Sequence, residues 1–398
     1  MNKKPSSPKR EPTSQTVSIV KTLVAFDTVS RNSNLPLIDW ISDYLLKHGV
    51  KSRLTFDEGR KKANLFATLG SGTSGGLILS GHTDTVPVDG QKWKTAPFEA
   101  IVSDANIYGR GAADMKGFIG VCLAAVPKIL AADIDSPVHL ALTFDEETSM
   151  LGVRSLIADL RDADIQPHGC IIGEPTSMRA VIGHKGRRHL SCSVRGKAAH
   201  SSLAPQGVNA IEHAAKIIVY LKGMADRHKA FEQRHYGYDV PYSTIQTNMT
   251  QGGLSANTVP AECTFDFDIR NLPWTDVDSL EAEIRAFAKD HVLPEMRKDF
   301  AESAITFKTE SELPAFGAAS PEEGLNEGTS KLLSRMRRKD TPLSYVGFGT
   351  EASWFQDAGI PTVVCGPGSI EQAHKPDEYV SLDQLAQCES FIAELLLG

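Results

Sequence analysis

The chain has 398 residues, 41% of them hydrophobic, with 42 basic and 49 acidic side chains and a net charge of −7. That apolar content excludes a largely disordered chain, and basic residues that are outnumbered and unclustered beyond the first ten positions argue against a nucleic-acid binder. No apolar run approaches the ~18 residues of a membrane span, and the length allows about two or three domains.

The basic segment 1–16 lacks the apolar stretch of a secretory signal and reads as a disordered tail. Residues 37–47 place apolar side chains at helical spacing and stop before Gly49. Residues 63–69 and 76–81 read as two strands joined by a Gly/Ser turn. The GTSGG of that turn, residues 72–76, formally matches a serine-hydrolase elbow, but a strand follows it where a helix is needed. Residues 116–132 read as a helix that Pro127 should kink or end early. Residues 138–144 and 170–173 are short apolar strands, and 362–365 is another before a terminal helix over 382–397. Strands alternating with helices predict an α/β domain with a mainly parallel sheet. Between its two parts, residues 189–195 alternate apolar with polar or charged, as do parts of 242–250 and 262–270. Helical patterns over 208–222 and 276–291 interleave with them. This predicts a smaller α+β domain inserted at 186–311, leaving 17–185 and 312–398 as the larger domain. The six cysteines form no C-x-x-C pair, so they read as buried reduced thiols of a cytoplasmic protein.

Acidic residues and histidines fall where apolar strands end. GLILSGHTD ends on His82 and Asp84, VHLALTFDEE on Glu146 and Glu147, and CIIGEPT on Glu174. Asp114 and His374 lie in loops. Each alone is ordinary: a satisfied histidine, a solvated Glu-Glu turn. Together they crowd anionic groups at one sheet edge, where bound cations compensate most readily. Two histidines and several carboxylates without cysteine suit zinc, manganese or cobalt. Five ligands exceed one catalytic zinc but suit two metals sharing a carboxylate. Of the adjacent Glu146 and Glu147, one would then bind metal and the other act as general base. On an extended segment His82 and Asp84 project the same way, so Asp84 suits the role of carboxylate partner to a ligating His82.

The segments SGHTDTVP (80–87), YGRGAADMKG (108–117), TFDEETSMLG (143–152), GEPT (173–176), AAHSS (198–202), GGLSANTVP (252–260) and GPGSIEQAHKPDEYV (366–380) resemble the di-zinc aminoacylase and carboxypeptidase family. That family spans acetylornithine deacetylases, succinyl-diaminopimelate desuccinylases and glutamate carboxypeptidases. The resemblance runs from about residue 17 to the end, in the family's order. It implies a zinc-peptidase-like catalytic domain with an inserted dimerisation or lid domain. It also implies that His82 and Glu174 bind one zinc, Glu147 and His374 the other, and Asp114 both. Asp84 would orient His82, Glu146 would be the base, and His200 would stabilise the oxyanion from a partner subunit. Asn257 and Arg270 would help hold the substrate, and the Asp114–Met115 peptide would be cis. The segments are most similar to the acetylornithine deacetylase branch. The expected reaction is therefore removal of the N-acetyl group of N2-acetyl-L-ornithine by a zinc-dependent homodimer, with Co2+ able to substitute. A related N-acyl-amino-acid hydrolase, acting on succinyl-diaminopimelate or acetylcitrulline, is the nearest alternative, and a non-catalytic binding homologue a more distant one.

Overall fold

The computed structural model describes residues 10–72, 75–320, 324–337 and 342–397. They group into two compact units, one of residues up to 182 with 325–344 and from 350 on, the other of 183–324 with 345–349. The expected insertion at 186–311 falls inside the second unit but is shorter at both ends. Its upper limit cuts through the strand Ala304–Leu313. The expected tail also ends sooner: the helix Ser14–Val24 begins at Ser14, where the Thr13 side chain accepts the Thr16 N–H. Thr73 and Ser74, in the turn expected between two strands, lie outside the described residues.

The larger unit is built on a sheet with the strand order Ser52–Phe56, Ala63–Leu69, Val138–Thr143, Leu77–His82, Gly169–Pro175, Thr362–Gly366. The four strands from Val138–Thr143 to Thr362–Gly366 run parallel, and Ala63–Leu69 pairs antiparallel with both Val138–Thr143 and Ser52–Phe56. All residues of Leu77–His82, Val138–Thr143 and Gly169–Pro175 are buried, as in a sheet covered on both faces. Val138–Thr143 separates Ala63–Leu69 from Leu77–His82, so these two do not form the expected hairpin. The parallel arrangement brings the carboxyl ends of these strands to one edge, where open α/β sheets carry their sites.

Pro127 neither ends nor interrupts its helix, which runs over Gly117–Ala131. A proline leaves the carbonyl four residues earlier without its N–H donor. Here that carbonyl, of Leu123, accepts the Tyr44 hydroxyl at 3.0 Å. A side chain from the helix Leu35–Lys47 thus supplies the missing donor.

The second unit is an antiparallel sheet in the order Thr244–Gly252, Glu262–Arg270, Arg187–Arg195, Ala304–Leu313. Glu262–Arg270 buries every second residue, and Cys192, Val194, Phe265 and Phe267 pack against Ala214, Ile217 and Leu221 of the helix Ala210–Phe231. Leu280 and Ile284 of Val277–Phe287 join the same core. All six cysteines are free and buried. Among the described residues no helix is long and apolar enough to cross a membrane.

Candidate metal centre

Each candidate acidic or imidazole ligand of the larger unit sits at or just past a strand end or in a loop. His82 closes Leu77–His82 and is 1% exposed. Glu174 follows Gly173, where a Cβ would lie 2.0 Å from the Phe118 ring, so only glycine lets the strand pass at that depth. Glu146 and Glu147 follow Asp145, whose left-handed φ of +59° turns the chain back after Val138–Thr143. Asp114 lies in a short turn, Ala112–Lys116, ahead of the helix Gly117–Ala131, and the Asp114–Met115 peptide is cis. His374, in the loop after Thr362–Gly366, also holds a left-handed φ, +64°.

These groups converge. His82 Nε2 lies 3.0 Å from Asp114 Oδ1 and 3.8 Å from Glu174 Oε1. His374 Nε2 lies 3.1 Å from Glu147 and 3.4 Å from Asp114 Oδ2. Asp114 therefore offers one oxygen to each histidine. Ligand atoms of His82, Asp114 and Glu147 lie within 4.8 Å of one another, as do those of His82, Glu146 and Glu174. His82 Nδ1–H donates to the Asp84 carbonyl at 3.0 Å, which leaves the Nε2 lone pair of a neutral ring facing the carboxylates.

Burial pushes Glu146 and Glu174 well above the usual carboxylate range, and their acidic neighbours add to this against the pull of His82. Glu147 is raised by the same causes, burial first. Asp114 goes the other way: burial is outweighed by hydrogen bonds from His374 and His82, which hold it low. Bonds to Asp114 and Glu147 raise His374 to about 10. His82 is lowered by burial but raised well above its ordinary value by Asp114, Glu174 and Glu146. So many buried carboxylates around two imidazoles make a donor set of nitrogen and oxygen that fits divalent cations, and no cysteine joins either group among the described residues.

Asp84 acts differently from its expected part. Its carboxylate is 3.6 Å from His82 Nδ1, whereas the ring bonds the backbone carbonyl of the same residue. The carboxylate instead accepts the Glu146 N–H at 3.1 Å, the Glu147 N–H at 3.3 Å and the Ser30 hydroxyl at 2.6 Å. One residue thereby ties the His82 ring to the backbone of both glutamates.

In the second unit, Ala199–His200 pairs with Thr258–Val259, and Ser201 N–H donates to the Asn257 carbonyl at 2.8 Å. His200 and Asn257 thus belong to one surface. The Ser202 N–H donates to His200 Nδ1 at 3.2 Å, so in this exposed residue the proton of a neutral ring sits on Nε2. Arg270 instead ends Glu262–Arg270 and bonds Asp268 at 2.9 Å.

Several buried charges were not singled out from the sequence. Glu351 is 1% exposed; Thr143 donates to one of its oxygens, the other has no partner among the described residues, and burial raises it to about 7. Lys116 donates to the Phe26 carbonyl at 2.8 Å, and burial lowers it to about 7. Arg110 and Glu378 form a buried ion pair behind Asp114. For Glu378 the one available signal was its place in HKPDEY, four residues after His374.

Residues 78–398 match Peptidase family M20/M25/M40. The acetylornithine deacetylase of Pasteurella multocida is 34% identical over 376 residues, 94% of each chain. That of Proteus mirabilis is 36% identical over 378 residues, 94% of this chain and 92% of the relative. A solved M20 family metallo-carboxypeptidase from Sulfolobus solfataricus shares the fold with a TM-score of 0.73 at 18% identity, over 96% of this chain and 98% of the other. The chain belongs to the M20/M25/M40 peptidase family.

Proposed function

We propose that the chain is a two-zinc amidohydrolase that converts N2-acetyl-L-ornithine and water to L-ornithine and acetate. The observation that carries hydrolysis is a surplus carboxylate: beside five ligand-type groups stands Glu146, buried and within 4.8 Å of His82 and Glu174 ligand atoms. The substrate rests on the deacetylase relatives, which match over nearly their whole length. His82 and Glu174 would hold one ion, Glu147 and His374 the other, and Asp114 both. Bound there, the cations supply Lewis-acid polarisation of the acyl carbonyl and lower the pKa of water from 15.7 toward ~7.

The protein's own groups do the rest. Glu146 takes a proton from the attacking water at a carboxylate oxygen and delivers it to the leaving α-nitrogen as the C–N bond breaks. Asp84 fixes the Glu146 backbone while this proton moves. His200 Nε2–H donates to the acyl oxygen as negative charge develops there. We assign that contact to a partner subunit, in a homodimer formed through residues 186–311. Asn257 and Arg270 help hold the substrate. Six free, buried cysteines favour a reducing compartment, the cytoplasm.

The test is a hydrolysis screen of N-acyl amino acids with added Zn2+, then with Co2+ after chelation. Acetylornithine should turn over fastest. Faster succinyl-diaminopimelate or acetylcitrulline would reassign the substrate, and no hydrolysis of any would overturn the reading. Full activity in demetallated protein would overturn the metal mechanism.

A further inference from the structure

Behind the candidate centre, side chains far apart in sequence form one buried clamp. Glu378 and Arg110 are each 1% exposed at the side chain and meet at 2.7 Å. Buried ion pairs are weak evidence for stability, so what matters is where this pair's remaining bonds go. The second Glu378 oxygen accepts two consecutive backbone amides, Ala113 N–H at 2.9 Å and Asp114 N–H at 3.1 Å. Arg110 donates to the Lys375 carbonyl at 3.3 Å and to Gln91 Oε1 at 2.6 Å. Gln91 in turn donates to the His374 carbonyl at 3.0 Å.

Apart from a longer bond from Arg110 to the Pro87 carbonyl at 3.5 Å, the backbone groups this network reaches are those of Asp114, His374 or a residue next to one of them. His82 and Glu174 are held otherwise, inside strands of the central sheet. We propose that Glu378, Arg110 and Gln91 are positioning residues that hold Asp114 and His374 in register, so that one of the two metal positions depends on them far more than the other. This rests on the two-ion reading above. The dependent position is the one assigned to Glu147, His374 and Asp114. His374 holds a left-handed φ, a conformation that a residue with a Cβ keeps only where its surroundings enforce it. Gln91 and Arg110, gripping the His374 and Lys375 carbonyls, provide that enforcement.

The test is a Co2+ titration of demetallated protein, followed by calorimetry and by the visible absorption of the bound ion. It compares wild type with Glu378→Gln, Gln91→Ala and Gln91→Glu. Glu378→Gln removes the charge and one acceptor. Gln91 is only half-buried, so its variants fold even if loss of the ion pair unfolds Glu378→Gln. Gln91→Glu keeps an acceptor for Arg110 but no longer donates to His374. Each Gln91 variant should keep one ion at wild-type affinity and weaken the other by ~10–100-fold, the range for partners of metal ligands, whereas Glu378→Gln also frees the Asp114 amide and should weaken the ion assigned to Glu147 and His374 more than the other. In a His374→Ala background, which retains the His82 and Glu174 ion, Gln91→Ala should add no further loss. Parallel weakening of both ions, or of neither, would overturn this inference alone. A wild-type protein that binds fewer than two ions would overturn the two-ion reading, and this inference with it.

Discussion

Asp84→Asn separates two accounts of how the centre is held. In wild type, Oδ1 accepts the Glu146 N–H, while Oδ2 accepts the Glu147 N–H and the Ser30 hydroxyl, and the residue is 2% exposed. Asparagine keeps one acceptor oxygen. If it serves Glu146, the new amide group faces the Glu147 N–H, donor against donor, while the Ser30 hydroxyl can rotate to accept. A buried hydrogen bond to a charged group contributes about 1.5–3 kcal/mol, so its loss corresponds to roughly 10–100-fold in an equilibrium constant. That loss should fall on the ion assigned to Glu147. The His82 ring is unaffected, because its Nδ1 bonds the Asp84 carbonyl, which the substitution leaves in place. Asp84→Ala removes the bond to Glu146 as well and should lower kcat further at saturating metal. Metal titration of both variants, with steady-state kinetics at excess Zn2+, reads the two effects apart. Loss confined to the ion assigned to His82, or equal effects of Asn and Ala on kcat, would refute this account.

Glu146→Gln should nearly abolish turnover with metal content near wild type, whereas Glu147→Gln should weaken one ion; metal analysis beside kinetics checks the division of roles. In the second unit, burial raises Glu232, but bonds from His228, Thr275 and Ser243 outweigh it and hold it at about 2. Its stabilisation is therefore present above an unfolded value near 4.5 and lost as pH falls toward 2, so the melting-temperature gap between wild type and Glu232→Gln should shrink from pH 5 to pH 3. Tyr44→Phe leaves the Leu123 carbonyl without its donor and should cost about 1 kcal/mol or more in denaturant unfolding. In the proposed homodimer, co-expressed Glu146→Gln and His200→Ala chains should regain roughly a quarter of wild-type activity, since random mixing would make about half of the dimers heterodimers with one whole site of two. Recovery no greater than either variant alone would place His200 within its own chain or outside the reaction.

The residues most legible in the sequence were those that interrupt a pattern. His82, Glu146, Glu147 and Glu174 stand out because apolar strands run straight into them, and the structure brings them together with Asp114 and His374. The strand order was not legible, since nothing in residues 63–82 shows that Val138–Thr143 will lie between two consecutive strands. Ala304–Leu313 was missed because an edge strand that buries little carries no clear alternation. That the helix would run on past Pro127 was not legible, because the compensating donor, Tyr44, lies 79 residues from the Leu123 carbonyl it serves. The clamp was invisible for a similar reason: Arg110 and Glu378 are 268 residues apart, and neither lies in a periodic segment.

The strand Thr362–Gly366 sets an order of events for a chain still being made. It pairs with Gly169–Pro175, and Gly366 is bonded to Thr176 across a separation of 190 residues. His374 and Glu378 lie beyond it. A nascent chain can therefore display His82, Asp114, Glu146, Glu147 and Glu174 while the segment that completes the centre is still inside the ribosome. Contacts so distant in sequence form late. Until they do, these carboxylates lack the His374 imidazole that lies 3.1 Å from Glu147 and 3.4 Å from Asp114 in the finished fold. Completion of the second proposed ion position thus waits on residues 362–378, and a chain that has not yet paired Thr362–Gly366 with Gly169–Pro175 holds an unfinished centre.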